Sequence, residues 1–91
     1  MRLIVWRREA LADLERHNAW LSTLEHALPD RTIRRIRAAV ETLARLGDIG
    51  RPIKAPGIRE LSVRNAPYVI ANRITEDAID ILAVYHTSQS R

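Results

Sequence analysis

The stretch GRPIKAPGIRELSV, residues 50–63, passes from loop chemistry into strand chemistry. Gly50-Arg51-Pro52 makes a rigid corner and Pro56-Gly57 a turn pair. Ile58-Arg59-Glu60-Leu61-Ser62-Val63 then alternates with period two, as a strand with one inward face does. Arg59 falls on the same side as Leu61 and Val63. Either that face is only partly buried or the arginine binds something.

Two more strand-like runs follow, residues 68–74 and 78–85, joined by Arg64-Asn65-Ala66-Pro67 and Thr75-Glu76-Asp77. Connections this short force neighbouring antiparallel strands. Val69-Ile70-Ala71 and Ile81-Leu82-Ala83-Val84 are apolar on both faces, which places these two strands centrally. Pairing across the 64–67 turn brings Arg59 beside Asn72 or Arg73. With Arg51 and Arg64 nearby, and His86 and Arg91 after the last strand, this predicts a basic, partly exposed sheet face or edge. The 50–57 loop runs along its rim.

Upstream, Arg2-Leu3-Ile4-Val5-Trp6 reads as a first short strand. From Glu9 the period changes: Ala10, Leu14, His17, Leu21, Leu24 and Leu28 recur every three or four residues, one face of a helix. Glu9, Asp13 and Glu15 near its start suit the helix dipole, although no capping side chain precedes Glu9. Pro29-Asp30 interrupts the pattern as a first-turn proline or an Asp cap. A second helix carries Ile33, Ile36, Val40 and Leu43 on one stripe, and Gly47 stops it. The short connection makes an antiparallel hairpin whose stripes cannot be covered by each other alone. The expected fold is therefore α+β, in the order β-α-α-β-β-β, with a helical hairpin packed on one face of a mostly antiparallel sheet. Residues 1–91 are read as one domain.

Composition narrows the function. Of 91 residues 46% are hydrophobic and 29% charged, which describes a folded globular chain. There is no cysteine, so neither disulfides nor thiolate metal sites arise. Residues 1–6 are too short for a secretory apolar segment, and no run approaches the ~20 residues needed to span a bilayer. A cytoplasmic location is expected. The net charge is +4, and Lys54 is the only lysine among fifteen basic residues. That excess points to an anionic partner, and arginine's planar fork suits carboxylate or phosphate.

Familiar catalytic kits are absent. His17, His26 and His86 do not share metal-ligand spacing, and no carboxylate cluster joins them. Gly47, Gly50 and Gly57 match neither a phosphate loop nor a dinucleotide fingerprint, so no cofactor is expected. Ser62, Ser88 and Ser90 lack a nearby base. Metal-free RNA cleavage needs a base, an acid and cations. Arg51, Lys54 and Arg59 could supply cations, and Tyr85 and His86 proton transfer. Adjacent residues of a strand point to opposite faces, however, which separates Tyr85 from His86 and Glu60 from Arg59. Arg31, Arg34, Arg35 and Arg37 cluster on the second helix as a solvated basic end, not as a DNA-reading helix.

The order of short motifs is distinctive. Gly-Arg-Pro, then Gly-Ile-Arg-Glu-Leu-Ser-Val, Pro-Tyr-Val-Ile-Ala-Asn-Arg-Ile and Ala-Ile-Asp-Ile-Leu-Ala-Val-Tyr-His resemble the ParE branch of the ParE/RelE toxin superfamily. Ala10 and Asp13-Leu14 resemble that family's Ala-x-x-Asp-Leu. The resemblance implies the toxin of a type II toxin–antitoxin pair. ParE members poison DNA gyrase, whereas RelE-like relatives cleave mRNA on the ribosome. Two positions depart from the pattern: Asn72 replaces a tyrosine before Arg73, and Gln89 an arginine three residues after His86. The second removes a cation that a nuclease would use.

Three expectations follow. The first is a non-enzymatic toxin that engages gyrase and is neutralised by a ParD-like antitoxin in a hetero-oligomeric complex. The second is a RelE-type endoribonuclease using Arg59 and His86, and the third a non-toxic member that only binds its antitoxin. Antitoxin docking is assigned to Ile33, Ile36 and Val40 of the second helix and to Arg51, Arg59, Leu61 and Arg73 of the sheet. An amphipathic segment carrying acidic residues would suit them. Target contact is assigned to Arg59, His86 and Arg91.

Overall fold

The computed structural model describes residues 2–24 and 28–88. Its elements are β1 (Leu3–Trp6), α1 (Arg8–Ser22), α2 (Leu28–Leu46), β2 (Arg51–Pro52), β3 (Ile58–Ser62), β4 (Tyr68–Ile74) and β5 (Ala78–His86). The strands form one sheet in the order β1-β5-β4-β3-β2. The three chain-adjacent strand pairs are antiparallel, whereas β1 runs parallel to β5. As the apolar runs predict, β4 and β5 lie inside the sheet. The two-residue β2 replaces what reads in sequence as loop, and its proline suits an edge strand that needs no further donor.

Both helices pack on one face. Ala10 and Leu21 of α1 and Ile36, Val40, Leu43 and Ala44 of α2 meet Tyr68, Ile70, Ile79, Ile81 and Val84 of the sheet. The core parity changes along β5. Ile79 and Ile81 face the helices, and so does Val84, because the pairing jumps from Ala71–Ala83 to Asn72–Ile81 and leaves Leu82 as an extra residue. This bulge explains the continuous apolar run: Leu82 and Ala83 are half-buried, and the run is not sandwiched on both sides.

Helix ends follow local chemistry. α1 starts at Arg7 without a side-chain cap, with Glu9 in the first turn. It stops at Ser22, where the Ser22 and Thr23 hydroxyls donate to the Ala19 and Trp20 carbonyls. The expected continuation through Leu24 and Leu28 is therefore wrong. Leu24 is 58% exposed beyond the helix, and Leu28 opens α2. The hydroxyl-rich Ser22-Thr23 pair competes with helical bonding and cuts an apolar period that runs on in the sequence. Pro29 lies in the first turn of α2, where its missing N–H costs nothing. Gly47, at φ +79°, closes α2 by donating its N–H to the Leu43 carbonyl at 2.8 Å.

One junction joins helix to sheet. The last strand-type bond from β1 is Arg7 N–H to Ile81 O, at 2.9 Å. Further along β5, α1 takes over with side chains. Asp13 Oδ2 accepts the Val84 N–H at 2.9 Å, and His17 Nε2 donates to the Val84 carbonyl at 2.8 Å. Two residues one helical turn apart thus satisfy both backbone groups of a buried strand residue.

Candidate functional site

The stripe assigned to antitoxin docking opens into a groove. Ile33, Ile36 and Val40 of α2 face Ile4 and Trp6 of β1 and Leu14 of α1 across a space of about 400 Å³, with Arg37 and Glu41 at its margin. The groove exists because β1 is an edge strand of only four residues. The Leu3 and Arg7 amides donate to the Asp77 and Ile81 carbonyls of β5 and the β4–β5 turn. Alternation then turns the backbone groups of Ile4 and Trp6 toward the open edge. Apolar side chains and the outward-facing backbone of an edge strand lie together there. Ile4, Trp6, Leu11 and Leu14 carried no site assignment from sequence, since edge position depends on the parallel β1–β5 pairing.

The arginines assigned to one surface divide between two. Arg59 is paired in register with Asn72, as expected, and lies on the helix side with Leu61. Its Nη1 donates to the Gly50 carbonyl at 2.9 Å, and its Nε lies 3.7 Å from Asp48. A Cβ on Gly50 would come within 3.1 Å of Arg59 Cβ and the Glu60 carbonyl, so glycine allows this close approach. Arg51 pairs with Glu60 and bonds it at 3.3 Å, which puts both on the opposite face. Arg73 shares that opposite face with Ile58 and Asp80, and Arg7 reaches Asp80 at 3.0 Å. The basic surface expected as a sheet face or edge is thus divided, with Arg51 and Arg73 opposite Arg59; a two-residue strand fixes which side Arg51 takes, and nothing in the sequence announces it.

His86 and Tyr85 separate as alternation requires. Tyr85 pairs with Val69 on the helix-free face, and His86 with Tyr68 on the helix side. The His86 ring sits edge-on to Tyr68 and Trp20, with centroids 5.3 and 5.6 Å away, and its Nδ1 accepts the Ser88 N–H at 3.1 Å. Tyr68 also meets His17 edge-on at 4.8 Å. Burial pushes the Tyr68 phenol above its usual pKa. The strand partners of Arg59 and His86, Asn72 and Tyr68, lie four residues apart on β4, roughly 13 Å at strand rise. Arg59 and His86 therefore stand on the same face but apart along the sheet, with the Arg59 guanidinium held on the Gly50 carbonyl. Arg91, Gln89 and His26 lie outside the described residues. Among the described residues, no group of three His, Cys, Asp or Glu side chains could hold a metal ion, and no helix is long and apolar enough to cross a membrane.

A helical hairpin on one face of a mixed sheet, with an apolar groove beside an edge strand, defines a small α+β fold with a candidate docking surface. Comparison gives the family. Residues 4–91 match the model of the ParE toxin of the type II toxin–antitoxin system parDE, and the chain belongs to that family. It is 35% identical over 86 residues to Y4kP of Sinorhizobium fredii, itself described as a candidate toxin, covering 94% of this chain and 88% of that protein. A solved structure of the chromosomal ParDE toxin–antitoxin system from P. aeruginosa superposes with a TM-score of 0.85 at 26% identity, covering 94% of this chain and 96% of the other.

Proposed function

We propose that this ParE-family toxin arrests growth by binding DNA gyrase in the bacterial cytoplasm, without itself being an enzyme. A ParD-like antitoxin neutralises it in a hetero-oligomeric complex. The observation that carries the binding-only reading is the separation of Arg59, His86 and Tyr85 by register and by face. General acid–base work requires its groups within hydrogen-bond reach of one reacting centre.

The groove of Ile33, Ile36 and Val40 suits the apolar face of an antitoxin segment, and the free edge of β1 suits an extended one. Arg59 and Leu61, on β3, would meet a separate part of the antitoxin, since β5 and β4 lie between them and the groove. Arg51 and Arg73 are met only by a partner that passes round the β2 edge to the other face. His86, Arg59 and Arg91 remain the proposed target contacts.

Induction in a bacterial host tests the reading. Altered supercoiling and a DNA-damage response are expected first, whereas immediate translation arrest with cut mRNA would replace it with the nuclease. Arg59→Ala sharpens the distinction. Losing the bond to Gly50 costs about 1 kcal/mol of stability. Losing a charge-assisted antitoxin contact costs roughly 2–5 kcal/mol of affinity. Abolished toxicity with unchanged antitoxin affinity would contradict the docking role of Arg59.

A further inference from the structure

The two edges of the sheet are built differently. At one, β2 is two residues long and consists of Arg51 and Pro52, a charge and a missing donor that keep further strands from adding there. At the other, β1 is Leu3-Ile4-Val5-Trp6, with no charge, no proline and an unbroken register against β5. α2 reaches this edge at Arg2, whose amide donates to the Ala44 carbonyl at 3.1 Å. Beyond Arg2, alternation points the backbone groups of Ile4 and Trp6 away from β5. Leu3 is 70% exposed, and Leu11 is exposed in the wall of the same groove. An apolar edge strand without a charge, proline or bulge is a template for one more strand.

We infer that β1 of the free toxin pairs with β1 of a second copy of this chain, antiparallel about a two-fold axis at Val5. The strand is complementary to itself in that register. Ile4 lies opposite Trp6 of the second copy, and Trp6 opposite its Ile4. Each of these pairs exchanges both N–H···O bonds, so the outward groups of both residues are satisfied. On the helix side the same pairs set a β-branched side chain beside an indole, a favourable cross-strand combination. On the other face Val5 meets its own copy at the close spacing of a non-hydrogen-bonded pair. Exposed Leu3 lies opposite Arg7 of the second copy, whose methylene stem covers it. The neighbouring registers fail. A two-fold at Ile4 calls on the Arg2 amide, which is already given to Ala44, and one at Trp6 calls on Arg8, which is already in α1. The groove margin carries one charge of each sign, Arg37 and Glu41, so a copy turned end for end is not repelled there. Four residues a side make a small interface, of the size found in weak and transient pairs. The inference goes beyond the antitoxin reading and does not need it: without a partner, the toxin covers its open edge with itself.

The test uses the purified toxin without antitoxin, at about 0.15 M salt, where the net charge of +4 is screened within about 8 Å. Sedimentation should show a monomer–dimer equilibrium with a Kd between about 1 and 100 μM. Val5→Lys sets like charges face to face across the two-fold and should raise that Kd at least about tenfold. The register is tested by cross-linking. The chain has no cysteine, so a single introduced thiol pairs only with its own copy. Val5→Cys places two thiols at the Cα spacing that a disulfide accepts. Leu3→Cys places them four residues apart along the paired strands, roughly 13 Å and out of reach. Mild oxidation should therefore cross-link Val5→Cys at least about tenfold faster than Leu3→Cys. Urea unfolding of each variant checks that it is folded, and the thiol variants decide the matter if Val5→Lys is not. A toxin that stays monomeric up to about 100 μM overturns the inference and leaves the edge to the antitoxin alone. Equal cross-linking at the two positions overturns it as well, since the copies would then meet elsewhere or in another register.

Discussion

Replacing Asp13 by alanine removes the acceptor of the Val84 N–H in the part of β5 where α1, and no longer β1, lies alongside. Asp13 and Val84 are both buried, so water does not readily take the vacated place. An unsatisfied buried donor costs about 1–3 kcal/mol. Asp13 also bonds Arg16, whose side chain is 61% exposed, and such a pair adds about 1 kcal/mol or less. Alanine returns roughly 0.5 kcal/mol of helix propensity. The net loss is about 1–3 kcal/mol. For a chain of this size each kcal/mol lowers Tm by about 4–8 °C. Asp13→Asn keeps an oxygen for the Val84 amide and gives up only the charge, so it should stay within about 1 kcal/mol. Urea unfolding measures both, with an unchanged slope showing that the two states are comparable. Amide exchange should accelerate at Val84 in Asp13→Ala and much less in Asp13→Asn. Equal losses in the two variants would refute the reasoning, because the charge pair would then matter and the strand bond would not.

Other perturbations have signs fixed by the structure. The Tyr68 phenol holds its proton more tightly folded than unfolded, so its contribution is complete below the unfolded value near 10 and is lost as pH rises toward the folded one. Stability should fall above about pH 10, and Tyr68→Phe should reduce that alkaline loss in pH-dependent unfolding. Gly47→Ala forces a side chain into φ +79° and should cost about 1 kcal/mol, read as a lowered Tm, although the neighbouring Arg2 guanidinium can swing aside. Asn72 is fully buried on the core face; its Nδ2 donates to the Ile70 carbonyl, while its Oδ1 has no partner among the described residues. Asn72→Leu, which keeps the branched shape with bulkier methyls, should unfold at equal or higher urea. A clear drop there would show that the amide has a role in folding.

Much of the fold is legible because apolar period and short connections act locally. Val69 to Ala71 and Ile81 to Val84 place two strands at the centre, and the 64–67 turn sets Arg59 beside Asn72. Alternation alone separates Tyr85 from His86. What the sequence hides depends on partners distant in the chain. The parallel pairing of Leu3 with Ala78 makes β1 an edge and so opens the groove, yet no local signal specifies it. The bulge at Leu82 reverses side-chain parity while the residues on either side remain apolar. Asp13 and His17 read as ordinary helix residues, and only the end of β1 gives them a strand to hold. Arg51 takes its face from a two-residue pairing too short for any periodicity to reveal.

The central position of β5 also bears on the order in which a nascent chain acquires its shape. The last of the described strands lies between β1 and β4, and it receives Asp13 and His17 across a chain separation of about seventy residues. Until it is made, β1 has no neighbour and α1 has nothing to hold, so local helix formation precedes any closed sheet. Contacts of such long sequence separation slow folding, because loop closure precedes the gain from pairing. The groove beside β1 therefore takes form after nearly all of the sequence described here has been made. A partner recognising that groove meets a sheet that β5 has already closed.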